Sequence, residues 1–273
     1  MRIGQRDFRT KGHTYVMGIL NVTPDSFSDG GKYMELDKAL YHVEQMITDG
    51  MDIVDVGGES TRPGYTPVSV QEEIDRVVPV IEKIKSRFNV PISLDTCKAE
   101  VAKAGIAAGA DMINDIWGLK YDENMVQVIA DSGLPCCLAH NRKDTRYSNL
   151  IEEMFWDLEA SLELASSKGI AYDKIILDPG IGFGKSYENN LEIIDNLQKF
   201  HSLGYPLLLG ASRKSVVGMG LDLPVNERVE GTLVTTVYGA QHGVMFVRVH
   251  DVKENARAIK MTEAIRDGYK KGN

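Results

Sequence analysis

The chain is poor in cysteine, with three in 273 residues, an odd number. That argues against a disulfide framework and for reduced thiols. No apolar run approaches the roughly 20 residues needed to cross a bilayer. Met1 to His13 is polar and basic, without the apolar stretch of a secretory signal. A cytoplasmic protein with no membrane partner is therefore expected. Basic residues are outnumbered, 31 against 39, for a net charge of −8. This balance argues against a nucleic-acid partner held by bulk charge, but it leaves room for a locally basic site that takes a small anion. The chain has no His-Glu-x-x-His, no paired Cys-x-x-Cys and no Gly-x-Ser-x-Gly. Neither a structural zinc nor a serine-hydrolase triad has support. Linker-like and low-complexity stretches are also missing, so one domain over residues 1–273 is expected.

What the sequence does contain is a repeat. Eight short apolar runs each end in polar or charged residues. Val16–Leu20 runs into Asn21, and Ile53–Val54 into Asp55 and then Gly57-Gly58-Glu59. Ile92–Leu94 ends in Asp95, Met112-Ile113 in Asn114, and Cys136–Ala139 in His140-Asn141. Ile175–Leu177 ends in Asp178, Leu207–Ala211 in Ser212-Arg213-Lys214, and Met245–Val247 in Arg248 with His250 beyond. Buried parallel strands read as apolar runs. Between them lie segments of helical period, such as Leu36, Leu40, Val43 and Ile47, or Ile74, Val77, Val78, Ile81 and Phe88. Met154, Leu158, Leu162 and Ala165 make a further face, and Val229, Leu233, Val237 and Ala240 another. Gly50, Gly109, Gly133, Gly169 and Gly204 fall just past helical segments, where a left-handed residue ends a helix. Eight strand–helix units in this length predict an α/β fold, a single-domain (β/α)8 TIM barrel, over a doubly wound open sheet.

Such barrels keep their chemistry at the C-terminal ends of the strands. The connections from Asn21 to about Glu35 and from Gly57 to about Ser69 are too long for simple turns, and both lie on that face. Long loops there are typically lids or binding loops. Asp95, Asn114 and Asp178 supply acceptors and an amide donor at the strand ends, while Lys214 and Arg248 supply cations. A heterocycle with neighbouring N–H, amine and carbonyl groups suits that mixture. Each acid alone could merely cap the next helix; five such residues at one end point to a shared site. Arg248, His250 and the Ser212–Ser215 stretch follow the last two strands, where barrels often bind phosphate.

Two other readings fail. Asp178–Ser186 ends in Gly-Lys-Ser, but the position that a phosphate-binding P-loop needs as glycine is Pro179. Cys97 lies close to Asp95, yet no base beside it is evident to make it a nucleophile, and Cys136 and Cys137 read as core.

With these residues in place the chain closely resembles the dihydropteroate synthase family over nearly its whole length. The resemblance lies in Asn21–Gly31, Gly57–Gly64, Asp95-Thr96, Asn114-Asp115, Asp178–Lys185, Ser212–Ser215 and Arg248-Val249-His250. It implies an eight-stranded barrel that condenses 6-hydroxymethyl-7,8-dihydropterin diphosphate with p-aminobenzoate, giving 7,8-dihydropteroate and diphosphate by an SN1-like, Mg²⁺-assisted loss of diphosphate. It implies pterin binding by Asp95, Asn114, Asp178, Lys214 and Arg248, with Asp95 and Lys214 catalytic. Asn21, Arg248 and His250 would meet the diphosphate, with Asn21 near Mg²⁺. Phe27, Thr61, Arg62, Pro63, Phe183 and Ser215 would hold p-aminobenzoate. Sulfonamides, as mimics of p-aminobenzoate, would compete, and a homodimer is implied. A corrinoid methyltransferase shares the barrel and the pterin-holding acids, but it has no need of the first-loop motif or of Ser-Arg-Lys-Ser. One position departs from the family pattern: Ala139 stands where methionine commonly precedes the histidine of the fifth strand, which implies a roomier pterin pocket if that side chain lines it.

Overall fold

The computed structural model describes residues 1–22, 32–60 and 67–268, with backbone only for 32–35. A short antiparallel hairpin opens the chain, β1 (Arg2–Ile3) and β2 (Arg6–Asp7). Eight parallel strands follow: β3 (Tyr15–Asn21), β4 (Ile53–Gly57), β5 (Ile92–Asp95), β6 (Met112–Asp115), β7 (Cys136–Ala139), β8 (Ile175–Asp178), β9 (Leu208–Leu209) and β10 (Phe246–Val249). They lie in the order β8-β7-β6-β5-β4-β3-β10-β9. A parallel bridge between Leu177 and Leu207 joins the two ends and closes the barrel. Around it stand α1 (Lys32–Thr48), α2 (Val70–Arg87), α3 (Ala99–Ala108), α4 (Met125–Ser132), α5 (Leu150–Ser167), α6 (Tyr187–Asp195), α7 (Ser215–Leu221), α8 (Val229–Gln241) and α9 (Val252–Asp267). This is the expected (β/α)8 barrel. None of the described helices is long and apolar enough to cross a membrane.

Strand alternation sorts the core into two layers. Val16, Val54, Leu94, Ile113, Leu138, Leu177 and Val247 point outward and pack beneath the helices. Met17, Ile53, Met112, Cys137, Ile176, Leu208 and Phe246 point inward and fill the lower barrel. Ile3 and Phe8 of the N-terminal segment plug its floor, with Phe8 set edge-on to Tyr15 at 4.8 Å between ring centroids. The polar beginning of the sequence concealed this plug, because only two of its residues are buried apolar ones.

Two residues further along β4, β6, β8 and β10 the inward positions turn polar, to Asp55, Asn114, Asp178 and Arg248, and β5 adds Ser93 and Asp95. Burying such groups is costly unless they pair with each other or with a ligand. This change of polarity at one height in the barrel places the site.

Three boundaries differ from expectation. β4 runs on through Gly57, so Asp55 is an interior strand residue instead of a strand end. β10 includes Arg248. β9 has only two residues, because Gly210 and Ala211 leave the ladder for a turn in which Arg213 takes a left-handed φ of 57°. The anticipated helix-ending glycines all hold positive φ, as at Gly109 (112°), where a β-carbon would add strain. In α8 the buried residues are Thr232, Thr236, Gly239 and Ala240, so most of its larger apolar residues are less buried than the periodicity predicts.

Candidate active site

Arg248 crosses the barrel centre. Its Nε donates to Asp55 Oδ2 and its Nη2 to Asp95 Oδ2, each at 2.6 Å. Asn114 Nδ2 approaches the two oxygens of Asp55 at 3.3 and 3.5 Å. Register accounts for the grouping: Asp95 pairs with Asn114 across β5 and β6, and Gly57 with both Asn21 and Asp95. A β-carbon at Gly57 would lie 3.6 Å from that of Asp95 and 3.8 Å from Asn21 Oδ1. Glycine there keeps the rim open between these two side chains.

Asp95 Oδ1 is buried and has no hydrogen-bond partner. A carboxylate oxygen shut from water without a donor is costly, and a bound ligand's N–H would satisfy it. Burial pushes the Asp95 pKa up to about 7, against the pull of Arg248 and with repulsion from Asp55. Burial also raises Asp178, which Lys214 and the backbone N–H of Gly180, at 2.7 Å, oppose.

Lys214 reaches in from the turn after β9. Its ammonium donates to the carbonyl of Ile181 and lies 4.2 Å from the centre of the Phe183 ring. Burial and nearby Arg248 lower its pKa to about 8, while Asp178 and Asp95 resist. The mouth thus sets three acids, an amide and two cations around one opening. Such a set can grip a flat polar heterocycle by its edge and respond to charge that develops on it.

At the rim, Ser212 Oγ lies 3.1 Å from His250 Nδ1 and accepts the backbone N–H of His250. Arg213 turns away and binds Asp251. Ser215 is exposed as the first residue of α7.

The structure therefore gathers Asn21, Asp95, Asn114, Asp178, Phe183, Lys214, Ser215, Arg248 and His250 at the C-terminal mouth. Phe27, Thr61, Arg62 and Pro63 lie outside the described residues. Asp95 caps no helix; α3 begins after Lys98, and Asp122 accepts the N–H of Ala99. Cys97 is buried with its pKa raised by desolvation, and Cys136 is pushed up to about 12 for the same cause, so neither is poised as a thiolate. Asp55 was missed as a site residue. Its signal was present, a carboxylate inside an otherwise apolar strand two positions after inward Ile53.

Among the described residues no three His, Cys, Asp or Glu side chains gather as a metal centre. Mg²⁺ keeps several waters and takes few protein oxygens beside substrate phosphates, usually carboxylates; Asn21 Oδ1, an amide oxygen at the rim, would supply one such contact.

The chain matches the family described as pterin binding enzyme over residues 17–250. It is 57% identical to a dihydropteroate synthase of Clostridium beijerinckii over 97% of this chain and 99% of that one. Among solved structures, dihydropteroate synthase from Clostridium difficile in the presence of pteroic acid superposes with a TM-score of 0.91 at 48% identity, covering 97% of this chain and 98% of that one. The Yersinia pestis enzyme with a sulfonamide drug gives 0.92 at 42% identity, covering 98% and 99%.

Proposed function

The chain belongs to the pterin-binding enzyme family, in its dihydropteroate synthase branch, and we propose that its barrel mouth condenses 6-hydroxymethyl-7,8-dihydropterin diphosphate with p-aminobenzoate. The observation that carries the assignment of residues is the buried, partnerless Oδ1 of Asp95 among Asn114, Asp178, Lys214 and Arg248. In this reading Asp178 and Asn114 hold the amino and N–H edge of the pterin. Lys214 meets its carbonyl or ring nitrogens.

Diphosphate leaves from a carbon attached to an electron-rich ring, so positive charge develops on the pterin. Asp95 faces that charge as a carboxylate. Arg248, held by Asp55 and Asp95, and His250 meet the departing oxygens. Asn21 would help to hold a bound Mg²⁺, which would supply neutralisation of the leaving diphosphate. The arylamine needs positioning more than activation. Phe183 and Ser215, with Phe27, Thr61, Arg62 and Pro63, serve that end. Sulfonamides compete for the same place.

The assay that tests this is diphosphate release with both substrates and Mg²⁺. Diphosphate should appear together with 7,8-dihydropteroate and should need Mg²⁺, and diphosphate release with both substrates present but no dihydropteroate formed would count against the reading.

The homodimer reading has support of its own. Exposed Met219, Val234, Met261 and Ile265 stand on α7, α8 and α9. A subunit contact formed by these helices would bury them. Sedimentation should read about twice 30.2 kDa, and a monomer at micromolar concentration would refute it.

A further inference from the structure

The fifth strand ends at His140, to which the chemistry above gives no part. His140 is fully buried, and its Nδ1 lies 2.9 Å from Lys185 Nζ. The same ammonium donates to the carbonyls of Gly180 and Phe183, both at 2.8 Å. The His140 carbonyl, at 3.3 Å, is a fourth and longer partner, so the three N–H groups are fully engaged. For Nδ1 to accept, the imidazole must be neutral with its proton on Nε2. That proton then points to Asp157 Oδ2 at 2.9 Å, a carboxylate that Arg142 also binds. Arg142 in turn bonds Glu153 at 2.7 Å.

This chain of groups grips one short loop. Gly180 and Gly184 lie flat on the segment that begins at His140. A β-carbon at Gly180 would come within 1.9 Å of the His140 carbonyl oxygen, and one at Gly184 within 2.1 Å of that of Arg142. Tyr147 adds a 2.9 Å hydrogen bond to the Gly184 carbonyl. The two carbonyls that Lys185 holds bracket Ile181 and Gly182. Between them the loop offers the Ile181 carbonyl and the Phe183 ring to Lys214. A β-carbon on Gly182 would press on Lys214 Cδ at 3.3 Å.

We propose that Lys185, fixed by His140 and Asp157, is a positioning residue that sets the Gly180–Gly184 loop so that Lys214 points into the pterin site. The proposal rests on the assignment of Lys214 to the pterin. Lys185 touches no substrate and acts only through the loop.

A double-mutant cycle reads this directly. Calorimetry would follow 6-hydroxymethylpterin binding to the full-length protein, to Lys185→Met, to Lys214→Met and to both together. Each single variant should bind about tenfold more weakly, and the double variant no more than about twofold weaker than Lys214→Met alone. Wild-type affinity in Lys185→Met, or single effects that multiply in the double variant, would overturn the proposal. Wild-type affinity in Lys214→Met would instead overturn the assignment of Lys214. Should Lys185→Met fail to fold, Asp157→Asn on α5 replaces it in the same cycle, with a loss of about threefold expected and the same non-additivity required.

Discussion

Asp55 and Arg248, 193 positions apart in the chain, meet inside the barrel through a 2.6 Å hydrogen bond from Nε to Oδ2. Asp55 has no exposed surface, so the pair is both a structural strut and the fixed end of a guanidinium whose other arm reaches Asp95. Replacing Asp55 by Ala leaves the partly buried Arg248 with one partner of two, and breaking a buried ion pair costs about 3–5 kcal/mol, less where water reaches the guanidinium. A marked drop in the denaturant midpoint and a loss of turnover of at least about tenfold are expected. Wild-type stability would show the strut to be dispensable.

Asp95→Asn and Lys214→Ala should each lower kcat by at least about 100-fold, the scale of losing one charge aimed at a transition state. Far-ultraviolet circular dichroism should be unchanged. Near-normal turnover in either variant would contradict the roles given to these residues.

The pH profile follows from the directions of the two shifts. Asp95 is raised, to about 7, so below that pH it takes up a proton and stops opposing charge on the pterin. Lys214 is lowered, to about 8, so above that pH it loses its proton and its charge. A bell-shaped kcat/KM with limbs on either side of that interval is expected. In Lys214→Arg the guanidinium stays charged, and the alkaline limb should flatten even though overall activity falls. A profile with the same alkaline limb in this variant would assign that limb elsewhere.

Gly180 combines a φ of 70° with a backbone carbonyl where a β-carbon would stand. Gly180→Ala should therefore cost at least about 2 kcal/mol, read as a fall in thermal midpoint. A neutral substitution would mean that the loop can lift from His140 freely.

The barrel was legible because its strands are buried on both faces, which forces apolar runs that stop abruptly at the polar mouth. Most of the site followed from those endings. What escaped detection was interior. Asp55 was read as the end of its apolar run and left out of the site set, whereas the strand continues through Gly57 and turns the carboxylate inward. His140 and Lys185 look like members of an ending and a glycine loop, and their contact over 45 positions depends on how two adjacent strand ends stack. The bulk of α8 was misjudged because its barrel-facing side is made of threonine, glycine and alanine. Close helix–barrel packing favours small residues there, whereas periodicity counts large ones.

The two-residue β9 gives the mouth unequal sides. From β3 to β8 each strand is laddered up to the level of the site, so Asn21, Asp95, Asn114 and Asp178 stand on a stiff wall. Facing them, Gly210 and Ala211 belong to no ladder, and the turn beyond delivers Lys214 and borders His250. Lys214 thus stands on the part of the rim that no ladder ties, while Arg248, laddered to Met17, belongs with the acids to the tied wall.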